Sequence, residues 1–555
     1  MAKKEKKNDK KPIIDKSLWR TSKSQRKKYY LSDLARTSEG ALVTSFMTMF
    51  LLMQGIDLTK MAGVMLVVKI IDSFDDVIFG FLIDRLKLDN LHGRLKKMAG
   101  TGRYLPWYRL VFWMFPLFTA MFYLMPVNVP QGVKLAWFFI FYLLYDLTYT
   151  LVEVPMNSLA VSITDNLEER NTIIQNRGIL NNNVIMILGI ILYALFSEKV
   201  GIPMKYCMVG ASIVFFFCMI PVTKGVEEYN TELKNVDEDE NAHYTFADMI
   251  ECIKTNKYMF ILLLSSVITS CLATGGTLAN FVAYYHFGSS LVFAIPIAIA
   301  AVPGFIAQLN TAKIVKKFGK IRSIVVMGLL GGIPLLMIFF VGPGKETPRL
   351  ILLCSLLAIQ ALPGNVSLLA KSFLIPDTIE FTRYKTGKDC SGIFFAMNSF
   401  VTKLTSSVAA SFGLFLLGKA GWNNITATDF ADIEAQGIAQ PESALNMLWI
   451  VYALIPAIGT ILGVLVMSLY KLRDNDIELM TKCNAGEITR RECEAQLSRE
   501  YFDQEYYDKL ESGYFDVIDE KNEKENKKKT KVKEKPLDDE YDDDDEYYDD
   551  DDDEI

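Results

Sequence analysis

The amino-acid sequence predicts an all-α integral membrane protein with twelve transmembrane helices in two halves of six, and with both termini in the cytoplasm. Apolar runs of about twenty residues, the length that crosses the hydrocarbon core of a bilayer, follow one another from about residue 41 to residue 470. Of the 555 residues, 51% are hydrophobic and only 22% are charged. A soluble enzyme, a disordered protein and a nucleic-acid-binding protein fit this composition poorly. We therefore expect a multi-pass protein of the plasma membrane that lies in the lipid bilayer and binds no nucleic acid.

The apolar runs are placed as twelve predicted spans. The N-terminal half, residues 31–223, holds spans at 31–55, 60–84, 106–126, 134–163, 177–197 and 206–223. The C-terminal half, residues 257–470, holds spans at 257–285, 288–310, 322–341, 348–370, 392–418 and 446–470. A basic connection follows the second span of each half. A six-plus-six duplication would leave this weak internal symmetry, although two such loops could also arise by chance.

The basic residues also orient the spans. Six Lys and Arg residues follow the second span and five follow the eighth, whereas the connections on the other face carry one or two each. Because basic connections stay in the cytoplasm, both termini are expected there. The N-terminal stretch MAKKEKKNDKK lacks the short apolar core of a signal peptide. The first span itself is therefore expected to direct insertion.

Four polar regions flank or join the two halves. They are expected to be a basic cytoplasmic N-terminus (1–30), a cytoplasmic linker (224–256), a cytoplasmic polar helical and linker region (471–535) and a disordered acidic tail (536–555). Fourteen of the last eighteen residues are acidic and none is basic, so the formal net charge of −6 becomes +8 without them. Such a tail is available to dock a partner of unknown identity. The cysteines and histidines form no metal or disulfide motif, and we expect no cofactor.

Span 2 carries charges where charges are expensive. Lys69, Asp72 and Asp76 stand at i, i+3 and i+7, and Asp75 lies on an adjacent line of the same helical face. An ionisable side chain in mid-membrane costs about 2.5–3.5 kcal/mol on insertion scales and normally faces the bundle interior. Three neighbouring carboxylates repel one another unless a cation or a proton lies between them. The alternative is a purely structural stripe in which Lys69 pairs with one acid.

Spans 4, 5 and 11 carry further polar groups. Span 4 holds a stripe made of Tyr149, Thr150, Glu153 and Asn157, with Asp146 one turn earlier. This stripe suits a hard cation or sugar hydroxyls, although a polar contact between helices would leave the same pattern. Arg177 opens span 5 one turn before Asn181, where an arginine can also reach the membrane surface. Lys403 lies near the middle of span 11, one turn after Ser399, and needs an acid of span 2 or span 4 as its partner. These groups predict a water-accessible polar cavity between the halves.

The same residues occur in blocks that resemble the glycoside–pentoside–hexuronide:cation symporters of the major facilitator superfamily, whose members include the melibiose permease. The resemblance covers about residues 28–470. It rests on the blocks DSFDDVIFGFLID, GRYLPWYR, YTLVEVPMNSL and DTIEFTRYKTGKDCSG, the last leading into FFAMNSFVTKL. It implies the major facilitator fold and secondary active transport, in which a cation and a sugar or glycoside move together by alternating access.

The resemblance also implies roles for individual residues. The residues implied to bind the coupling cation are Asp72, Asp75, Asp76, Tyr149 and Thr150, of which Asp72, Asp76 and Thr150 would hold a sodium ion. The residues expected to bind the substrate are Glu153, Asn157, Arg177 and Ser399. Lys403 matches the lysine that links the two sites, and Lys69 is expected to join its charge network.

Three positions depart from the family pattern. Asn157 stands where a tryptophan stacks on the sugar in the melibiose permease, and no aspartate is found near Thr37, where Glu39 is the nearest acid. These departures speak against a galactoside and leave another glycoside, a pentoside or a uronide open. Asp75 replaces an asparagine at the cation site. The third carboxylate is protonated, is compensated by a lysine, or exchanges protons as the coupling step. We favour Na⁺ over H⁺, because hydroxyl oxygens beside the acids are ligands that a proton would not need.

Other functions remain as alternatives. A cation-dependent lysolipid or drug transporter of the same fold would need an apolar slot where the charged residues lie. A membrane-embedded transferase would need a sizeable soluble loop or a metal motif, and a receptor or scaffold role is encouraged only by the polar tails. The sequon at Asn424 is expected to occur by chance.

Overall fold

The computed structural model describes residues 19–85, 88, 92–164, 166–228, 256–386, 391–498 and 501. The predicted acidic tail and most of the predicted linker lie outside these ranges. Within them, the regular secondary structure is helical apart from one isolated β-bridge. Packing divides the chain into a large unit, which ends at Glu478 and excludes Tyr384–Gly387, and a small unit made of those four residues and the chain from Leu479 onward.

Eight of the described helices form the N-terminal half. They are α1 (Lys23–Leu52), α2 (Leu58–Arg85), α3 (Gly93–Ala99), α4 (Leu105–Val111), α5 (Met114–Tyr123), α6 (Gln131–Ser162), α7 (Leu167–Leu195) and α8 (Met204–Gly225). Helix α1 begins earlier than predicted, at a capping box in which Ser22 and Gln25 bond each other's backbone N–H groups. Helix α7 also begins ten residues before the predicted span. Hydropathy marks only the apolar part of each helix, and the polar turns at its end escape notice.

The C-terminal half continues the helical pattern. Its helices are α9 (Lys257–Cys271), α10 (Ala279–Phe287), α11 (Ala294–Phe318), α12 (Lys320–Val341), α13 (Thr347–Ser372), α14 (Leu374–Thr386), α15 (Ser391–Lys419), α16 (Phe430–Gln436), α17 (Glu442–Trp449) and α18 (Ile455–Met467). A 3₁₀ turn at Gly276–Leu278 precedes α10, and a π-helical turn at Ile450–Leu454 joins α17 to α18. Two short helices follow, α19 (Asp474–Asn484) and α20 (Arg490–Gln496).

Helical structure occupies each of the twelve predicted positions, but fewer helices are long and apolar enough to cross a membrane. Seven are found in the described residues: Gln131–Ala160, Thr172–Leu195, Met204–Gly225, Lys320–Val341, Thr347–Lys385, Phe400–Lys419 and Glu442–Met467. They coincide with predicted spans 4, 5, 6, 9, 10, 11 and 12. The predicted spans 1 and 2 carry several charges, and the predicted spans 3 and 7 are each divided into shorter helices. The count of twelve crossings and the cytoplasmic termini therefore stay predictions.

Buried tyrosines tie the helices of the N-terminal half together. Tyr123 donates to the backbone oxygen of Leu42 at 2.6 Å, and Tyr145 donates to that of Gly40 at 3.2 Å. Both bonds satisfy a hydroxyl that burial would otherwise leave unpaired, and they hold α5 and α6 against α1. Gly40 also permits close packing, since a Cβ there would lie 2.8 Å from the Tyr149 ring. Tyr142, on the same helix, donates instead to a side chain, the carboxylate of Asp72.

Main-chain hydrogen bonds join the two halves at one end of the bundle. The amide of Ala427 donates to the oxygen of Met53 at 3.0 Å, and that of Gly55 donates to Ile425 at 2.6 Å. Gly55 has a φ of +68°, and a Cβ there would lie 2.2 Å from Oγ1 of Thr426, so this crossing requires glycine. Similar bonds run from Met204 to Thr428 and from Phe430 to Phe196. We call this region, residues 53–57, 196–204, 288–290 and 425–430, the closed end.

Candidate functional site

A buried aspartate on α1 holds two arginines. Oδ1 of Asp33 accepts hydrogen bonds from Nε and Nη2 of Arg36, both at 3.2 Å, and Oδ2 accepts from Nε of Arg177 at 2.6 Å. Asn181 donates to the same Oδ2 at 2.8 Å. Asp33 is 0% exposed and Arg36 is 2% exposed. Because buried charges must be paired and hydrogen-bonded, Asp33 fixes the position of both guanidinium groups.

Two residues of α6 complete this arrangement. Nη1 of Arg36 lies 3.3 Å from Oε1 of Glu153, and Nη2 of Arg177 donates to Oδ1 of Asn157. The Glu153 side chain is 28% exposed, and Asn157 is exposed as well. We call Asp33, Arg36, Glu153, Asn157 and Arg177 the arginine cluster. Its accessible carboxylate, amide and guanidinium can accept from and donate to hydroxyl groups, and this is the chemistry that recognises a polyol.

A second cluster surrounds Asp72 of α2. Nζ of Lys69 lies 3.0 Å from Oδ2, which also accepts from the Tyr142 hydroxyl at 3.2 Å. Nζ of Lys403 lies 3.8 Å from Oδ1, so the acid has an ammonium group near each oxygen. Asp146 of α6 lies within hydrogen-bonding reach of the same carboxyl group. We call these five residues the Asp72 cluster. Since Lys403 belongs to α15, its ion pair joins the two halves.

The structure describes only part of the expected cation site. The side chains of Asp75 and Asp76, and that of the expected substrate residue Ser399, lie outside the described set. Thr150 is buried. Among the described side chains, no group of three or more His, Cys, Asp or Glu residues could hold a metal ion. The expected sodium site, with Asp72, Asp76 and Thr150, therefore stays a prediction.

Tyr149 lies in a different place from the one that the resemblance implied. It is close enough to Glu153 and Arg36 to interact with both charges, and it packs on Gly40 of α1. It therefore belongs beside the arginine cluster. The tyrosine that bonds Asp72 is Tyr142, two turns earlier on α6. Both tyrosines lie on one face of α6, so the sequence alone gave no reason to choose between them.

The acid of α1 is also a residue that the sequence interpretation missed. The expectation near Thr37 found only Glu39, but Glu39 is fully buried beside Thr119 and Ser212 and takes no part in the arginine cluster. Asp33 lies one turn before Thr37 and bonds Arg177 directly. Because the predicted span began at residue 31, Asp33 and Arg36 were placed at the membrane surface. Their i, i+3 spacing is the signal that could have found them.

Comparison with known proteins agrees with these clusters. The family model described as MFS/sugar transport protein matches residues 29–474. The isoprimeverose transporter of Lactiplantibacillus pentosus is 23% identical over 460 residues, which cover 81% of this chain and 88% of that protein. The glucuronide carrier protein homolog of Escherichia coli is 23% identical over 401 residues, covering 71% and 83%. A putative glycoside/cation symporter of the same bacterium is 23% identical over 456 residues, covering 78% and 90%.

Solved structures agree on the fold. A D-xylose-proton symporter superposes with a TM-score of 0.54 at 12% identity, over 81% of this chain and 98% of that one. The nucleoside transporter NupG superposes with a TM-score of 0.55 at 11% identity, over 80% of this chain and all of that one. The predicted major facilitator fold is thereby confirmed. The chain belongs to the sugar-transport family of the major facilitator superfamily that includes the glycoside–pentoside–hexuronide symporters, and it is a membrane transporter and not an enzyme.

Proposed function

We propose that this protein carries a sugar or glycoside across the plasma membrane together with a cation, by alternating access of one binding cavity. The observation that supports this most is the pairing of two unlike clusters in one bundle. The arginine cluster offers donors and acceptors for hydroxyl groups, while the Asp72 cluster carries the charge that a cation would replace. A transporter that only let sugar through would have no need of the second cluster.

The arginine cluster would bind the sugar. Arg177 is held by Asp33 through Nε, so its Nη groups remain positioned to donate to the sugar. Glu153 uses one oxygen for Arg36, and its second oxygen can accept from a sugar hydroxyl. Charge-assisted hydrogen bonds of this kind are stronger than bonds between neutral groups. Fixed partners on both sides also reduce the ordering cost of binding.

The Asp72 cluster would couple the cation to the movement. A cation at Asp72 competes with Lys403 for the same carboxylate, and Lys403 comes from the opposite half. Binding of the ion therefore changes a contact between the halves. Substrate and ion then favour the same arrangement, and each raises the affinity for the other by the same factor.

Uptake by purified protein in liposomes tests the proposal. A set of labelled sugars and glycosides is offered with an inward sodium gradient, with an inward proton gradient, or with neither. We expect accumulation above the outside concentration only under one of the gradients. Asp72→Asn is expected to abolish accumulation and to leave exchange of internal for external sugar measurable. Gradient-driven uptake of lysolipids or drugs, with no transport of any sugar, would favour the other class of the same fold.

A further inference from the structure

The charges of the arginine cluster are already balanced. Two acids, Asp33 and Glu153, face two bases, Arg36 and Arg177, and every pair is within 3.3 Å. Asp33 uses both oxygens on the two guanidinium groups, and Asn181 fills a further position on Oδ2. The cluster therefore has a formal charge of zero before any substrate arrives.

The neighbouring bases are no more available to a substrate. Lys69 and Lys403 lie 3.0 and 3.8 Å from the Asp72 carboxylate, with Asp146 beside it. A carboxylate on the substrate would have to take one of these four bases from its present partner. The acid left behind would then be unpaired in a site of low dielectric, and this is costly.

The exposed parts of the arginine cluster point in the same direction. Glu153 is the more accessible of the two acids, with 28% of its side chain exposed, whereas the Asp33 side chain is fully buried. An arriving carboxylate would meet Glu153 as a like charge. A hydroxyl group would donate to the same oxygen. On the basis of the proposed function, we propose that the substrate is an uncharged sugar or glycoside and that sugar acids are rejected.

The test uses pairs of sugars that differ only by oxidation at C6. Purified protein is offered glucose with glucuronate, galactose with galacturonate, and the corresponding methyl glycosides, at neutral pH where the acid is ionised. Binding is followed by intrinsic tryptophan fluorescence, and transport by competition with the best labelled sugar in liposomes. For each pair that binds, we expect the uncharged member to bind about tenfold or more tightly than its uronate, a ratio that corresponds to about 1.4 kcal/mol.

A variant and its control separate charge from folding. Glu153→Gln keeps the size and one acceptor but removes the negative charge, and it is expected to lower the ratio of neutral to uronate affinity at least threefold, whatever happens to either affinity. Glu198→Gln makes the same chemical change at the closed end and should leave the ratio as in the wild type. A uronate that binds as well as its neutral partner, or a ratio unchanged in Glu153→Gln, overturns the inference while leaving sugar transport in place. Absence of binding and transport for all pairs overturns the proposed function, and this inference with it.

Discussion

Glu198 of the N-terminal half accepts hydrogen bonds from Ser290 of the C-terminal half, through the amide at 3.1 Å and through the hydroxyl at 2.6 Å. The neighbouring Ser289 hydroxyl donates to the other carboxylate oxygen. Glu198 lies between α7 and α8, and the serines lie between α10 and α11. One carboxylate thus joins the halves by side-chain bonds at the closed end. Any movement that opens this end has to break all three.

We expect Glu198→Ala to favour opening of the closed end. Loss of hydrogen bonds to a charged group costs about 1.5–3 kcal/mol, so the ratio of open to closed molecules should rise about tenfold or more. The measurement is the distance distribution between spin labels at Val200 and Lys345, in a background with the native cysteines replaced. Glu434→Ala, which removes an exposed acid of α16, is the control. An unchanged distribution in Glu198→Ala would show that the backbone bonds alone hold this end.

The same contact predicts a response to pH. Burial alone would raise the pKa of Glu198, but the hydrogen bonds from Ser289 and Ser290 outweigh it and hold the pKa below the ordinary value. An acid with a lowered pKa stabilises the closed arrangement above its ordinary pKa, about 4.3, and loses that contribution as the pH falls through the lowered value. We therefore expect the label distances to shift toward the open end below about pH 4 in the wild type. Glu198→Ala should show a weaker shift, and an equal shift in both proteins would assign it to other groups.

Much of the fold follows from hydropathy alone, since apolar runs of span length coincide with seven of the observed helices. Position along a helix was harder to predict. Asp33 and Arg36 were assigned to the membrane surface because the polar first turns of α1, from Lys23 to Tyr30, carry no apolar signal. The choice of Tyr142 for Asp72 depends on how α2 and α6 pack. A helical period shows which residues share a face and leaves open which neighbour that face meets.

Arg177 is expected to bind the sugar through its planar fork. Arg177→Lys keeps the charge but loses the geometry that reaches Asp33, Asn157 and a hydroxyl group together. Loss of one such partner costs about 1.5 kcal/mol or more, which lowers sugar affinity about tenfold or more. Isothermal titration of the purified variant with the best substrate measures this. Lys205→Arg, at an exposed tyrosine of α8, is the control for a general effect of such exchanges. Normal affinity in Arg177→Lys would remove Arg177 from the binding site.

Glu169 is expected to stabilise the fold without contributing to transport. Its carboxylate accepts hydrogen bonds from the amides of Arg20 and Thr21, from Arg26 and from Thr164, and so anchors the segment before α1. Burial would raise the pKa of Glu169, but these bonds lower it. Glu169→Gln should therefore cost about 1–3 kcal/mol and lower the midpoint of thermal unfolding in detergent by several degrees. The cost should shrink as the pH falls through the lowered pKa, because the wild-type carboxylate is then protonated.

An exposed acid gives the comparison for Glu169. Glu346 pairs with Arg349 at 3.2 Å, with 69% and 48% of the two side chains exposed. Exposed ion pairs contribute little to stability, so Glu346→Gln should leave the unfolding midpoint unchanged. Equal effects of the two variants would contradict the anchoring role of Glu169.

The acidic tail is expected to be dispensable for transport. It lies beyond the helical bundle in the sequence, and its charge density disfavours packing. Deleting the residues after Pro536 should leave the initial uptake rate within about a factor of two, because changes to solvated segments alter stability little. The rate is normalised to the amount of protein in the liposomes. A collapse of uptake at equal amounts would make the tail a regulatory element.

The identity of the coupling ion is expected to depend on Asp75. Asp72 already has Lys69 and Lys403 beside it, and the sequence adds two more acids within one turn. Like charges this close raise one another's proton affinity, so a third carboxylate makes the site sensitive to pH. We propose that sodium is the coupling ion and that Asp75 adds this sensitivity. Uptake should then rise with sodium at fixed pH. Asp75→Asn should retain that rise while its uptake varies less between pH 5.5 and pH 8, a window of about two to three units around neutrality.

Lys69→Gln distinguishes a compensating lysine from a proton site. If Lys69 balances the extra acid, its removal leaves one more negative charge near Asp72, and a bound cation is attracted more strongly. The concentration of sodium that gives half-maximal uptake should then fall about threefold or more in Lys69→Gln. Uptake is measured over a sodium series at constant ionic strength, with choline as the replacing cation. Wild-type uptake that ignores sodium and collapses when a proton uncoupler is added would identify the proton as the coupling ion and contradict the choice of sodium.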